Sequence, residues 1–207
     1  MFRHGKFGPI EWAAVRRPLS GEVVCGDHPV AFDVGDDAAL FGVIDGLGHG
    51  EAAAAAAQLA AEVVDQGRAD PLDVLMQRCH LVLTETRGVT MTLASVDFET
   101  NELSWIGIGN VAADLVAKHP GGIEVRSSAL LVGGIVGYRI PQTLSTTQVP
   151  ISPGDLLVMS SDGIAEQHLE DIDFAAHATT IAEQLVGRYG RQTDDALVLA
   201  ARHRGTS

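Results

Sequence analysis

Residues 43–57, VIDGLGHGEAAAAAA, restrict the possible folds more than any other stretch of the chain. An apolar, β-compatible run ends on Asp45, turns through Gly46, Gly48 and Gly50, and passes into the segment of strongest helix propensity, residues 51–64. Glu51 opens that helix, where a carboxylate suits the positive end of the helix dipole. A strand that carries a carboxylate to its own end and then feeds a helix needs a sheet for the helix to close upon. The preceding run 30–34, VAFDV, joined to 38–45 through GDD, reads as the other arm of a hairpin. Asp33, Asp36 and Asp37 are then explained as turn residues.

The remaining elements follow from periodicity and turn chemistry. A second helix is expected over 71–86, with Leu72, Leu75, Met76, Cys79 and Leu83 on one face and Pro71 at a tolerated first-turn position. From Val89 the period changes to short strand-like runs, VTMTLASVDF, ELSWIGIGN and VAADLVAK, in the manner of an antiparallel meander. A turn at Pro153-Gly154, a strand over 155–159, a helix within 174–190 ended by Gly190, and a closing strand in TDDALVLAAR complete the pattern. No repeat or linker divides the 207 residues, so one α+β domain over 1–207 with a layered sheet core is expected.

Composition removes several function classes. A formal charge of −13 with no compensating basic run disfavours nucleic acid and anionic membrane surfaces. The apolar stretches are too short for a membrane span, which needs about 20 residues, and the N-terminus lacks the apolar core of a secretory signal; a cytoplasmic location is expected. Cys25 and Cys79, the two cysteines, have no partner at zinc-ligand spacing and read as packing residues. The glycines at 46, 48 and 50 lack the lysine-serine/threonine ending of a nucleotide loop. Ser20, Ser160 and Ser161 lack a nucleophile elbow. His4, His28, His80, His119, His168, His177 and His203 show no paired ligand spacing and read as surface or cap residues.

Four places set aspartates at the ends of apolar runs or in the adjoining turns: Asp27 in CGDH, Asp45 in VIDG, Asp162 in SSDG, and Asp194 with Asp195 in TDDALVL. Carboxylates gathered in one pocket oppose one another's ionisation unless cations neutralise them. Oxygen-only ligands favour hard ions, Mg²⁺ or Mn²⁺. Two such ions about 3.5–4 Å apart can hold a bridging water, lower its pKa and clamp a phosphate oxygen during in-line displacement.

CGD, VIDGLGHGEAAAAAA, TRGVTMTLASVDFETNELSWIGIGNV, PGDLLVMSSDGIAE and TDDALVLAAR occur in an order that resembles the SpoIIE-type branch of the metal-dependent PPM serine/threonine phosphatases, from about Glu22 to Arg202. The resemblance implies a sandwich of two antiparallel β-sheets flanked by α-helices, with a binuclear Mn²⁺ or Mg²⁺ centre at one edge. It further implies that Asp45 bridges two ions, that the Gly46 carbonyl completes a coordination shell, that Asp27 serves one ion, and that Asp162 and Asp194 serve the other. Asp45 and Asp162 would thus be the catalytic pair, and Asp195 ranks behind Asp194 as a ligand. The implied reaction is attack of a metal-activated water on phosphoserine or phosphothreonine of a regulatory protein. Compact stand-alone members of the branch suggest a phosphorylated STAS-domain, stressosome or anti-sigma-pathway partner.

Two departures from relatives bear on catalysis. Leu47 stands where many eukaryotic members have a histidine proposed as general acid, and His49 lies two residues further on. The arginine that holds phosphate in those relatives has no match, leaving Arg87, Arg16 and Arg17 as substitutes. Competing functions are a catalytically silent phosphoprotein-binding module and a small phosphate-ester hydrolase. The segment between Pro120 and Thr147, with Leu130, Leu131, Ile135, Val136 and Tyr138 read as exposed, is either an ordinary sheet edge or a substrate-docking flap that also uses Arg139.

Overall fold

The computed structural model describes residues 2–205. The chain begins with a hairpin, β1 (Phe2–Phe7) and β2 (Ile10–Arg17), which the sequence reading did not anticipate. β3 (Asp27–Asp33) and β4 (Ala38–Gly46) form the expected second hairpin and lead into α1 (Glu51–Gln66). α2 (Leu72–Val82) continues as a 3₁₀ turn over Leu83–Glu85, so the predicted helix is shorter than expected. β5 (Val89–Asp97), β6 (Glu102–Ile108), β7 (Ala112–His119), β8 (Gly122–Ser128), the two-residue β9 (Leu131–Val132) and β10 (Thr147–Pro150) follow. β11 (Leu156–Ser160), a 3₁₀ segment (Glu166–Asp171), α3 (Ala178–Tyr189) and β12 (Ala196–His203) end the chain. Residues 174–177 of the predicted third helix stay outside it, and the observed helix starts after His177.

The strands form two sheets, β1-β2-β12-β11-β7-β8 and β10-β6-β5-β4-β3, with β9 added to β6. Every pairing is antiparallel except the short β6–β9 contact. The expected meander therefore holds only for β5 and β6. After Ile108 the chain turns through Gly109 at a φ of +99° and crosses to the other sheet as β7. Both faces of β7 carry apolar residues, Ala113 and Leu115 on one and Val116 on the other, and strand alternation alone does not reveal which sheet a run joins.

Strand alternation sorts side chains between layers. Phe41, Val43, Trp105, Leu157, Met159, Leu197 and Leu199 fill the space between the sheets. Leu40, Ile44, Leu93 and Ile106 face outward beneath α1 and α2, and the predicted α2 face of Leu72, Leu75, Met76, Cys79 and Leu83 is buried there. Val158, Val198 and Ala200 pack under α3 through Ile181, Ala182 and Leu185. Full burial of one large apolar side chain is worth ~1.5–3 kcal/mol. In α1 the buried face is alanine at 53, 56, 57, 60 and 61, which lets the helix approach its sheet closely. β3 is the outer strand of its sheet and carries Pro29 opposite Val43.

Both cysteines are free and buried, as expected of packing residues, and burial pushes their thiols up to about 12. His168 and His203, read as surface or cap residues, are buried instead. Among the described residues no helix is long and apolar enough to cross a membrane.

Candidate metal centre and active site

Asp27, Asp45 and Asp195 meet because odd-numbered positions of β3, β4, β11 and β12 point between the sheets. Asp27 stands directly opposite Asp45 in the β3–β4 register, on the same face as Val43 and Phe41. From the opposing sheet, Ser161 follows Met159 past the end of β11, and Asp195 precedes Leu197 at the start of β12. A hydrogen bond joins the sheets here: Ser161 Oγ donates to Asp27 Oδ2 at 2.7 Å and accepts from the Leu197 amide at 2.9 Å. Asp162 and Asp194 lie one residue further along the same strand ends and are more exposed than Asp27.

The electrostatics of this end are those of carboxylates without a counterion. Burial pushes Asp45 up to about 9, assisted by the charges of Asp27, Asp162, Asp194 and Asp195. Burial likewise lifts Asp27 to about 7, opposed by the Ser161 hydrogen bond and reinforced by Asp195, Asp162 and Asp194. Asp162 is raised by burial and by Asp194, while Arg191 pulls it down. The sequence-predicted Asp27, Asp45, Asp162 and Asp194 are thus brought within electrostatic reach of one another.

The two adjacent aspartates of TDDALVL differ in surroundings. Asp195 is buried, and its carboxylate accepts from the Leu19 amide at 2.8 Å and the Gly26 amide at 2.9 Å. It therefore holds the loop that leads to Asp27. Asp194 is half-buried and caps only the amide of Asp195, at 2.9 Å, which leaves carboxylate capacity for another ligand.

Glycines allow the close approaches. A Cβ on Gly46 would lie 2.2 Å from the Ala53 carbonyl oxygen, and one on Gly163 would lie 1.7 Å from that of Asp195. Any side chain at these positions would push Asp45 or Asp162 away from its partners.

Among the described residues no three His, Cys, Asp or Glu side chains close on a common point as a protein cage for one ion. Mg²⁺ needs no such cage, since it keeps several waters and uses only one or two carboxylates. The oxygen-only donors and the raised Asp27 and Asp45 carboxyls fit such ions, because divalent charge would restore their ionised forms.

Several neighbours were not singled out from sequence. Asn110 Nδ2 donates to Asp162 Oδ2 at 2.6 Å, and its own Oδ1 accepts from Thr90 Oγ1 at 2.6 Å. Asn110 ends the GIGN turn where the chain changes sheets, so its role depends on a crossing that local pattern does not reveal. Arg191 donates to the Asp162 carbonyl at 3.0 Å. Of the predicted phosphate-binding arginines, Arg16 donates to the Asp27 carbonyl and Arg17 to the Arg191 carbonyl. Arg87 lies against the glycine loop, where a Cβ on Gly48 would come within 3.0 Å of its guanidinium. His49 Nδ1 is 2.9 Å from Glu22 Oε1 on the exposed side of that loop.

The segment beginning at Pro120 contributes β8 and β9 and is tied down beyond them. Val136, read as exposed, is fully buried and bridges Val89, while the Gly137 amide donates to His80 Nδ1 at 3.0 Å. Tyr138 and Leu130 are exposed as expected.

Two antiparallel sheets with helices outside are the fold of solved PP2C-type phosphatase domains. The chain belongs to the SpoIIE family, whose model, described as Stage II sporulation protein E, matches residues 35–204. It is by class a protein serine/threonine phosphatase. The phosphoserine phosphatase RsbX of Bacillus subtilis (strain 168) is 25% identical over 145 residues, which are 70% of this chain and 69% of that protein. A chain solved in work on the bacterial stressosome, a modular system adapted to control secondary messenger signaling, is 30% identical. The match covers 93% of this chain and 99% of that one, with a TM-score of 0.83. RsbX in complex with magnesium superposes with a TM-score of 0.82 at 20% identity, over 97% of this chain and 98% of the other. Phosphatases of this class are metal-dependent.

Proposed function

We propose that the protein removes phosphate from phosphoserine or phosphothreonine of a regulatory protein, using a pair of Mn²⁺ or Mg²⁺ ions held at the Asp27–Asp45–Asp162–Asp194 edge. The observation that carries this reading is the inward pairing of Asp27 with Asp45 in one sheet, facing the Asp162 and Asp194 strand ends of the other. When bound, the ions supply Lewis-acid stabilisation of phosphoryl oxygens and lower the pKa of the attacking water.

This chain's residues would divide the work. Asp45, central among the carboxylates, and the Gly46 carbonyl beside it would help hold the ions. Asp27 would serve one ion, with Ser161 fixing its carboxylate. Asp162 and Asp194 would serve the other, with Asn110 orienting Asp162. Arg191, anchored on the Asp162 carbonyl, is a better-placed phosphate contact than Arg17, which is spent on Arg191's own carbonyl. His49, turned to Glu22, has no part in this scheme.

Likeness to RsbX and to a stressosome chain supports a phosphorylated STAS-domain, stressosome or anti-sigma-pathway substrate and a cytoplasmic setting. The test is phosphate release from a phosphoserine or phosphothreonine peptide with and without millimolar Mn²⁺, in the wild type, Asp45→Ala and Asp162→Asn. Manganese-dependent turnover lost in both variants is expected. Full turnover in Asp45→Ala would overturn the assignment.

A further inference from the structure

Beside Asp162, a cavity of about 400 Å³ opens on the outer face of the β7–β11 sheet. Its floor is Ala112 and Asp114, which point away from the inter-sheet core that holds Ala113 and Leu115. Ile164 and Leu169 give it apolar walls, and Glu166 and His168 stand on the 3₁₀ side.

The hydrogen-bonding character of this cavity is one-sided. The donors gather at its metal end: Asn110 on Asp162, Ser161 on Asp27, and Arg191 on the Asp162 carbonyl with further guanidinium N–H groups left for a phosphate. What remains is acceptor capacity. Asp114 takes one bond, from Ser128, where a carboxylate can take about four. His168 is 5% exposed, and its Nδ1 lies 2.8 Å from the Ala165 carbonyl. That contact needs the proton on Nδ1, which in the neutral imidazole makes Nε2 a lone-pair acceptor, and Nε2 is buried without a partner among the described residues. An unpaired buried acceptor costs about 1–3 kcal/mol and marks a place where a donor is wanted.

We propose that this cavity receives a lysine or arginine side chain of the phosphoprotein substrate, its head group donating to Asp114, Glu166 and His168 Nε2 and its stem lying on Ile164 and Leu169. The proposal rests on the phosphatase reading for the identity of the ligand and on the cavity for its chemistry. Long basic side chains lay aliphatic stems on apolar walls in this way. The cavity is also polarised to match: Arg191 sits at the Asp162 end, where the phosphate would lie, and the carboxylates lie beyond. Asp114 in β7 is four residues beyond Asn110 in the preceding turn, so the two lie at most about 14 Å apart along the chain. The basic residue therefore falls within about four positions of the phosphoresidue in an extended peptide.

The test uses phosphoserine peptides that differ at one flanking position, arginine, alanine or glutamate, scanned across the positions on either side. At the productive position, arginine should raise kcat/KM and affinity about tenfold over alanine at low salt, and high salt should shrink the ratio. Glu166 is exposed, so its replacement does not threaten folding. Glu166→Gln should cut the arginine preference severalfold, and Glu166→Lys should turn it toward glutamate. A remote change, Glu124→Gln on β8, should leave the ratio unaltered. Equal turnover and affinity for all three peptides at every position, or a wild-type preference for glutamate, overturns the proposal. Manganese-dependent hydrolysis of para-nitrophenyl phosphate reports separately on the phosphatase reading. Should that fail, the affinity ratio, read by fluorescence anisotropy of the same peptides, still decides what the cavity takes.

Discussion

The carboxylate of Asp195 already holds the amides of Leu19 and Gly26, and that commitment separates it from its neighbour Asp194. Asp195→Asn should lower stability by about 2 kcal/mol, because the buried Gly26 amide and the half-buried Leu19 amide lose a charged acceptor. Asp194→Asn should leave the metal-free melting temperature nearly unchanged and raise the manganese concentration needed for half-maximal activity at least tenfold. Thermal melting and metal titration of the two variants check both halves. Asn110→Ala removes the amide that orients Asp162, and supporting residues of metal ligands typically cost about 10–100-fold in metal affinity or activity. The acidic residues themselves were legible in the sequence because Asp45 and Asp162 each close an apolar run before glycine. Asn110, Ser161 and Arg191 were not, since each acts through a residue at least 29 positions away in the chain or on the facing sheet.

At the scale of elements, the strand-to-helix passage at Gly46 and the turn at Gly163 hold their carboxylates by backbone proximity. Gly163→Ala and Gly46→Ala should each cost about 3 kcal/mol or more, since backbone rather than a flexible side chain blocks the new methyl group. A shift of the urea midpoint to lower concentration, or failure to accumulate folded protein, is the expected result; an unchanged midpoint would mean the strand ends are free to separate. Periodicity was enough to find β3, β4, both main helical faces and the closing strand, because each carries a long apolar pattern. It missed β1 and β2, whose FRHGKF and EWAAVRR mix charged and aromatic residues at an edge hairpin. It also kept β7 in the wrong sheet, because alternation shows two faces and not the neighbour a strand pairs with.

For the whole molecule, the carboxylate edge couples stability to pH and to divalent ions. Asp45 is near 9 in the folded protein against an ordinary carboxylate value of about 4. The metal-free fold therefore binds this proton more tightly than the unfolded chain does. The associated stability is fully present below about pH 4 and is lost as pH rises through about 9. In chelator, the melting temperature should fall steadily from pH 5 to pH 9; Mg²⁺ or Mn²⁺ should restore it, most strongly at the alkaline end. A melting temperature independent of pH in chelator would contradict the electrostatic picture. The outer strand β3 bears on how such a molecule survives while its metal is absent. An open sheet border invites another chain to zip onto it, and the border that carries Asp27 would offer a template in the repelled, loosened state. Pro29 has no amide hydrogen to give, so a foreign strand cannot be hydrogen-bonded continuously along that border. The proline acts as a guard against fibrous self-association along this open border of the sheet.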